Sequence, residues 1–300
     1  MTGPAAPDRT DAAAAAIRYH YDVGNDFYAL WLDSSLTYSC AMPEGPHDTL
    51  EAAQQRKLRF HLAAIRAERA DSVLDIGCGW GSVLRHLSQT YRVRRSVGLT
   101  LSLEQASHIR SLGYPGVEVR TENWTIYRPD TRFDGIVSIG AFEHFARPGD
   151  SPSEKIAVYR EFFTRCRDWL TEDGVLSLQT IAYANMAIQD ASLFIQREIF
   201  PDADLPTLAE ITAAAEGIFE VQSLRNDRLD YAWTCEEWAR RLRARRAVAV
   251  ELAGQELAAR YERYLKLSAL GFRMGKICLL RLILNPFKSG HFGAPRARAS

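Results

Sequence analysis

Short apolar stretches alternate with amphipathic stretches through the middle of the chain. The apolar stretches predict strands, and the amphipathic ones predict helices. The predicted strands are residues 72–76, 95–99, 117–120, 133–139 and 174–181, and the predicted helices between them are residues 82–90, 102–111 and 153–170. Strands joined by helices imply right-handed crossovers and a parallel sheet, so the pattern predicts an α/β fold.

The regions before and after this block do not alternate between strand and helix in the same way. Residues 12–32 have a helical pattern that breaks at 23–26, residues 36–41 tend towards β structure, and a helix is predicted from residue 48 to about 66. After the fifth strand the predicted elements are an irregular or helical stretch at 182–200, a helix at 208–216, a strand at 219–225, a mostly helical region at 235–264 and a terminal strand at 272–284.

We interpret residues 16–286 as one domain with an added lid and cap. Residues 16–70 form the N-terminal lid, 71–181 the central core, and 182–218 with 233–270 the segments of a cap. The cap is expected over the carboxyl ends of the strands, where open α/β sheets bind their ligands. Residues 1–15 and 287–300 are expected to be disordered.

Composition narrows the possible partners and the compartment. The 37 Lys and Arg residues balance 37 Asp and Glu residues, so no overall charge favours nucleic acid. The 5 cysteines form no CxxC pair, which argues against a metal site and fits a reducing compartment. Without a signal peptide pattern or a long apolar run, the sequence predicts a cytoplasmic protein. Peripheral membrane contact and homo-oligomer formation stay open.

A glycine-rich turn at residues 73–82 is the strongest local motif. Asp75 ends the first predicted strand, and Gly77, Gly79 and Gly81 alternate before the first helix. The spacing is shorter than a dinucleotide fingerprint, and the turn lacks the lysine of a P-loop. An ordinary βα turn is one interpretation. The other follows from its resemblance to the first motif of class I S-adenosylmethionine (SAM) methyltransferases.

Six motifs in order resemble one family, the cyclopropane fatty acid synthases and mycolic acid cyclopropane synthases. They are YDVGNDFY at 21–28, LTYSC at 36–40, DIGCGWG at 75–81, GLTLS at 98–102, SIGAFEHF at 138–145 and DYA at 230–232. The resemblance spans about residues 17–284. It implies a class I SAM-methyltransferase (Rossmann-like) fold with an N-terminal helical lid and an inserted helical cap. It also implies SAM-dependent methyl transfer through a carbocation to an alkene carbon of a lipid-like or isoprenoid-like substrate.

The resemblance also assigns the SAM-binding residues. Tyr38 and Ser39 would reach the cofactor from the lid, while the Asp75 turn would lie under its amino-acid part. The ribose and adenine would lie near the remaining residues, which are Thr100, Leu101, Gln105, Trp124 and Ile139. Without the resemblance, Gln105 is explained equally well as a solvated helix residue. Trp124 alone would be interpreted as a core residue.

On the catalytic side the match is incomplete. The family holds a bicarbonate base with Glu, Cys, His, Ile and Tyr, and four of these match here as Cys40, Glu143, Ile181 and Tyr231. The His position is Gln179, which can donate from its amide but never carries charge. Two interpretations follow. In the first, bicarbonate still binds and a cyclopropane forms. In the second, bicarbonate is absent, Glu143 acts directly on the cation with help from Tyr231, and the product is a methylated alkene.

Two rival functions and two ambiguous features remain. Glu143 followed by His144 also fits an N-methyltransferase of a small amine, although His144 can simply shape the turn; a SAM-binding homologue without activity is the second rival. The arginine run at 240–246 fits a solvated helix face, or a site for the phosphate of a phospholipid, a carrier protein or a prenyl diphosphate. The remaining candidates could line an apolar channel or pack a cap, and they are Tyr183, Phe194, Phe200, Trp233, Phe272 and Met274.

Overall fold

A computed structural model describes residues 24–45, 47–186 and 203–288. Several predictions lie outside these ranges: the first helix of the lid, the cap residues 187–202 with Phe194 and Phe200, and nearly all of the two termini.

In the described ranges, seven strands form one sheet, as the α/β prediction requires. The strands are β1 (Ser72–Ile76), β2 (Arg95–Thr100), β3 (Val117–Thr121), β4 (Phe133–Ile139), β5 (Leu170–Tyr183), β6 (Phe219–Asn226) and β7 (Ile277–Pro286). Their order is β3-β2-β1-β4-β5-β7-β6. The first five pair in parallel, and β7 lies antiparallel between β5 and β6. The predicted fold class, a mostly parallel Rossmann-like sheet, is confirmed.

In chain order, two of the described α-helices precede β1 and the others lie between successive strands. They are α1 (Asn25–Ala29), α2 (Leu50–Ala64), α3 (Ser82–Gln89), α4 (Leu103–Leu112), α5 (Pro152–Trp169), α6 (Leu208–Ala215), α7 (Arg228–Ala244), α8 (Arg246–Ala253) and α9 (Gln255–Arg273). Side-chain caps define several starts: the Thr49 hydroxyl accepts from the Ala52 N–H, and Ser151 with Glu154 forms a capping box at α5. Across the described ranges, no helix is both long and apolar enough to span a bilayer.

Some predicted elements differ from the structure in type, in number or in bounds. Residues 36–41 form no strand, because Leu36 has φ +52° and the Thr37 N–H bonds the Asp33 carboxylate at 2.9 Å instead of a neighbouring strand. The single helical region at 235–264 is three helices, separated at Arg245 and at Gly254.

The terminal strand and the fifth strand also differ in their bounds. The terminal strand begins at Ile277, since α9 continues to Arg273 before turning at Gly275, whose φ is +68°. The fifth strand begins at Leu170, directly after α5.

Aromatic packing joins the lid to the C-terminal helices. The Trp31 and Trp238 rings meet at 5.7 Å, and the Tyr28 and Tyr261 hydroxyls share a 2.8 Å hydrogen bond. The Trp80 indole, from the turn after β1, donates to Asn25 in α1 at 2.7 Å. The lid, α7 and α9 therefore share one apolar cluster that reaches the turn after β1.

Candidate active site

The glycine turn brings the chain close to the end of β4. Gly77, Gly79 and Gly81 have φ values of +84°, +53° and +84°, which favour glycine. A Cβ on Gly77 would lie 2.5 Å from the Ala141 Cβ. The turn also opens directly into α3, whose first N–H groups have no side-chain cap. A helix start of this kind is suited to a carboxylate.

Asp75 lies beside this turn with an unpaired oxygen. The residue is 2% exposed, and its Oδ2 has no hydrogen-bond partner among the described residues. Burial raises the pKa of the Asp75 carboxyl to about 7, although the Lys57 ammonium opposes the rise. An orphaned buried carboxylate oxygen next to free helix N–H groups fits the ammonium and carboxylate of an amino-acid group. The residues present therefore fit SAM.

A cavity of about 240 Å³ opens at the carboxyl ends of β1, β2 and β4. It is lined by all but one of the predicted cofactor residues, namely Tyr38, Ser39, Asp75, Gly77, Gly79, Thr100, Leu101, Gln105, Trp124 and Ile139. Gly81 lies at the end of the turn and is not among the lining residues. Gln105 is 4% exposed and accepts from the Thr100 hydroxyl at 2.7 Å, so it is not a solvated helix residue.

The second predicted group lies beyond this cavity. Glu143 follows β4 in a short 3-10 turn, Phe142–His144, and its Oε1 accepts from the Ile181 N–H at 2.6 Å. Its Oε2 has no hydrogen-bond partner among the described residues, although the Thr180 hydroxyl lies near enough to favour the ionised carboxyl. Burial raises the pKa of the Glu143 carboxyl to about 7. The structure thus brings Glu143 and Ile181 together.

Cys40, Gln179 and Tyr231 are all buried, and Tyr231 lies within electrostatic range of both Cys40 and Glu143. Burial raises the pKa of the Cys40 thiol to about 12, so it stays protonated. Burial, with Tyr264, Cys235, Cys40 and Glu143 nearby, raises the pKa of the Tyr231 phenol. The Tyr231 ring stacks on Phe272 at 4.5 Å. The two predicted groups are thus adjacent but distinct.

His144 belongs to the cavity rather than to the Glu143 group. It lines the cavity near the end of β4. Burial lowers the pKa of the His144 imidazole to about 4, so it is neutral at physiological pH.

Three further polar residues at the site lie outside the predicted set. Lys57 is 1% exposed, lines the cavity and donates to the Ser39 hydroxyl at 2.9 Å. Glu122, just after β3, also lines the cavity. Arg281 is fully buried on β7 and donates to Gln179 at 2.8 Å. One signal was available for Lys57, because Gln54, Lys57 and His61 follow helical spacing on the buried face of α2.

The glycine turn opens into α3, and Asp75 lies at the end of β1. Both face a cavity at the sheet edge, and this arrangement defines a class I SAM-dependent methyltransferase. Within this class, the family described as mycolic acid cyclopropane synthetase matches residues 8–282. The chain belongs to this family.

Relatives and a solved structure agree with this assignment. Cyclopropane mycolic acid synthase 2 from Mycobacterium bovis is 36% identical over 271 residues, covering 84% of this chain and 87% of that protein. A probable fatty acid methyltransferase from Pseudomonas putida is 33% identical, covering 97% of this chain and 73% of that protein. The crystal structure of mycolic acid cyclopropane synthase CmaA1 with SAH and CTAB has a TM-score of 0.81 at 33% identity, covering 90% of this chain and 97% of that one.

The family resemblance predicted from six motifs is confirmed. The SAM dependence is confirmed as well. The predicted class of reaction, transfer of carbon from SAM to an alkene carbon, is supported over the alternative, N-methylation of an amine.

Proposed function

We propose that this enzyme modifies the double bond of a lipid-like acyl chain and that Glu143 takes the proton lost from the substrate. Bound SAM supplies an electrophilic methyl group on its sulfonium. Attack by the alkene leaves positive charge on a substrate carbon, and loss of a proton then closes a cyclopropane or restores an alkene. The proposal assigns the chain's residues to holding SAM, stabilising charge and removing that proton.

The observation that carries the proposal is the unpaired Oε2 of Glu143. One oxygen of this carboxyl is fixed by the Ile181 N–H, and the other has no partner among the described residues. Because burial raises the Glu143 pKa to about 7, the carboxyl is poised to accept a proton near neutral pH. A free carboxylate inside the protein also favours nearby positive charge.

The surroundings of Glu143 suit a carbocation. Tyr231 and Phe272 are stacked and nearly inaccessible to water, at 8% and 1% exposure. Aromatic faces attract positive charge, and a dry wall prevents water from capturing the cation. Neutral His144 adds no opposing positive charge. These groups would stabilise the charged substrate without reacting with it.

The names of the relatives favour a lipid over a prenyl diphosphate. One relative is a mycolic acid synthase and another a probable fatty acid methyltransferase. The arginine run meanwhile makes ion pairs within the protein: Arg241 bonds Glu51 at 2.8 Å, and Arg246 bonds Glu262 at 3.1 Å. These pairs favour the solvated helix face over a diphosphate site. The assay therefore supplies the lipid free, on a carrier protein and in a bilayer.

Bicarbonate is the second part of the proposal. The Gln179 amide and the Tyr231 hydroxyl are the donors that would hold this anion next to Glu143. Buried Arg281, one strand away and ion-paired with Asp227, donates to the Gln179 amide oxygen and so leaves the amide NH₂ group as the donor for an anion. We therefore favour bicarbonate relaying the proton and a cyclopropane product over direct action by Glu143.

The test is the Glu143→Gln variant with an unsaturated acyl lipid, supplied free, carrier-bound and in vesicles. Turnover should fall at least about 100-fold, as expected when a proton-transfer group is lost, while the affinity for SAM stays unchanged. Glu210→Gln is the matched control, because Glu210 is similarly buried at 7% exposure but lies near Lys155. Near-normal turnover of Glu143→Gln would remove the assigned role.

Two further measurements decide the reaction class and the product. Methyl transfer only to amine or oxygen nucleophiles would refute the alkene reaction. Both candidate alkene products gain one CH₂, so NMR must distinguish cyclopropane ring protons from a remaining alkene. Removing bicarbonate from the buffer should slow the reaction; an unchanged rate would favour direct proton transfer to Glu143.

A further inference from the structure

Arg281 is a fully buried cation whose hydrogen bonds reach three parts of the chain. It lies on β7 opposite Gln179 of β5. Its Nε donates to the Gln179 Oε1 at 2.8 Å, and its Nη1 bonds the Asp227 carboxylate. Its Nη2 donates to the carbonyl oxygens of Cys40 and Ala41 at 3.2 and 3.1 Å. A buried charge requires such partners, and here they come from distant segments.

These partners are the segments that carry the proposed proton-transfer site. Cys40 belongs to the lid loop, Gln179 to β5, and Asp227 stands at the start of α7, four residues before Tyr231. One guanidinium therefore fixes the relative positions of three of the candidate residues. Its planar fork can hold several acceptors at once, which a lysine ammonium does less well.

The same contacts determine how the Gln179 amide is turned. Its Oε1 lies 2.8 Å from the Arg281 Nε, which can only donate, so this atom is the carbonyl oxygen. It also lies 3.3 Å from the His61 Nε2. That nitrogen must then carry the proton, and the His61 Nδ1 accepts from the Ser177 hydroxyl at 2.8 Å. With both acceptor sites of the amide oxygen occupied, the NH₂ group is the part of Gln179 without a partner among the described residues.

We infer that Arg281 is a positioning residue for the reaction, which acts through Gln179 and turns its NH₂ group into the site beside Glu143. The inference rests on the proposed function of that site. An NH₂ group turned this way donates to an acceptor such as bicarbonate, whereas a flipped amide would present its oxygen and repel an anion. Arg281 also gives the uncharged Gln179 a charged hydrogen-bond donor, while its own charge is balanced by the ion pair with Asp227.

The first test is Gln179→Glu, which replaces only the NH₂ group by a second oxygen. Glu still accepts from Arg281 and His61, so the packing and the clamp are retained. We expect turnover of an unsaturated lipid to fall about 10- to 100-fold, the range for loss of a hydrogen bond to a charged group, with unchanged affinity for SAH. Wild-type turnover in this variant would overturn the inference.

The second test is Arg281→Lys, alone and combined with Gln179→Glu. Lysine keeps the charge but cannot hold all three segments, so turnover should again fall about 10- to 100-fold, and the half-saturating bicarbonate concentration should rise. If Arg281 acts through Gln179, adding Arg281→Lys to Gln179→Glu should cost less than about threefold more. Additive losses, or equal losses of SAH affinity and turnover, would indicate a merely structural residue and overturn the inference.

The two proposals fail in different ways. If the wild-type protein converts no alkene, the proposed function has failed, and the inference is then judged on the thermal unfolding of the SAH-bound protein. Bicarbonate should raise the unfolding temperature of the wild type but not that of either single variant. If the wild type converts alkenes and the variants do so equally well, only the inference about Arg281 has failed. Should Arg281→Lys not fold, Gln179→Glu alone decides.

Discussion

Replacing Glu143 with Gln should stabilise the ligand-free protein above about pH 7 while it removes turnover. The Glu143 carboxyl is 6% exposed and has one unpaired oxygen, so ionisation inside the protein is unfavourable. Burial raises its pKa from the ordinary value of 4.5 to about 7. The folded protein therefore binds this proton more tightly than the unfolded chain does.

The direction of the pH effect follows from this difference. Below about pH 4.5 the carboxyl is protonated in both states and costs nothing. Between about pH 4.5 and about pH 7 the unfolded chain loses the proton first, so the stability of the wild type falls as pH rises. The full loss is about 3 kcal/mol, at about 1.4 kcal/mol for each tenfold change in the equilibrium. Gln carries no charge and escapes this loss.

Thermal unfolding of both proteins without SAM is the measurement. The difference in Tm between Glu143→Gln and the wild type should grow by roughly 4 °C from about pH 5 to about pH 8, because an unfolding entropy of about 2.1 cal/mol/K per residue gives about 1.6 °C per kcal/mol for 300 residues. The new amide can leave its NH₂ group unpaired, which costs about 1–3 kcal/mol at every pH. The change with pH, rather than the absolute Tm, is therefore the test.

Glu210→Gln provides the contrast. Glu210 is as buried as Glu143, but its carboxylate lies 3.6 Å from the Lys155 ammonium, so its replacement should destabilise the protein at about pH 8. A Tm difference for Glu143→Gln that does not change with pH would mean that Glu143 is ionised at low cost, and the argument for a poised base would be refuted.

Two further predictions concern SAM binding. Asp75→Asn should weaken SAM binding by about 10- to 100-fold in calorimetry, because the orphaned oxygen would lose its charge-assisted bond to the ammonium; an unchanged Kd would place the ammonium elsewhere. Gly77→Ala should abolish most SAM binding, since φ is +84° and its Cβ would lie 2.5 Å from the Ala141 Cβ. Gly113→Ala is the control, because its φ of +61° is also positive and its Cβ would meet nothing within 4 Å, but it does not line the cavity; equal losses in the two variants would show that close approach to Ala141 is unimportant.

The five parallel strands, the glycine turn and the family were all predictable from the amino-acid sequence. These are local features: apolar stretches of strand length, and glycines at fixed spacing after Asp75, each readable within about ten residues. Glu143 was also accessible, because it stands in a six-motif resemblance and directly follows a predicted strand. The bounds of β7 and of the C-terminal helices were less certain, since the turns at Gly254 and Gly275 lie within continuous helical patterns.

The role of Arg281 follows from the three-dimensional fold. In the sequence it looks like an ordinary surface cation, yet it is buried and meets Cys40 across 241 positions, whereas buried Lys57 meets Ser39 across 18. The Arg281 contact depends on β7 inserting antiparallel beside β5, which places Arg281 opposite Gln179. Gln179 stands where the family has His, so the sequence suggested that a charge had been lost. In the fold, the Arg281 guanidinium lies opposite Gln179 on the next strand. Pairing between distant strands sets which charges meet, and no local pattern encodes it.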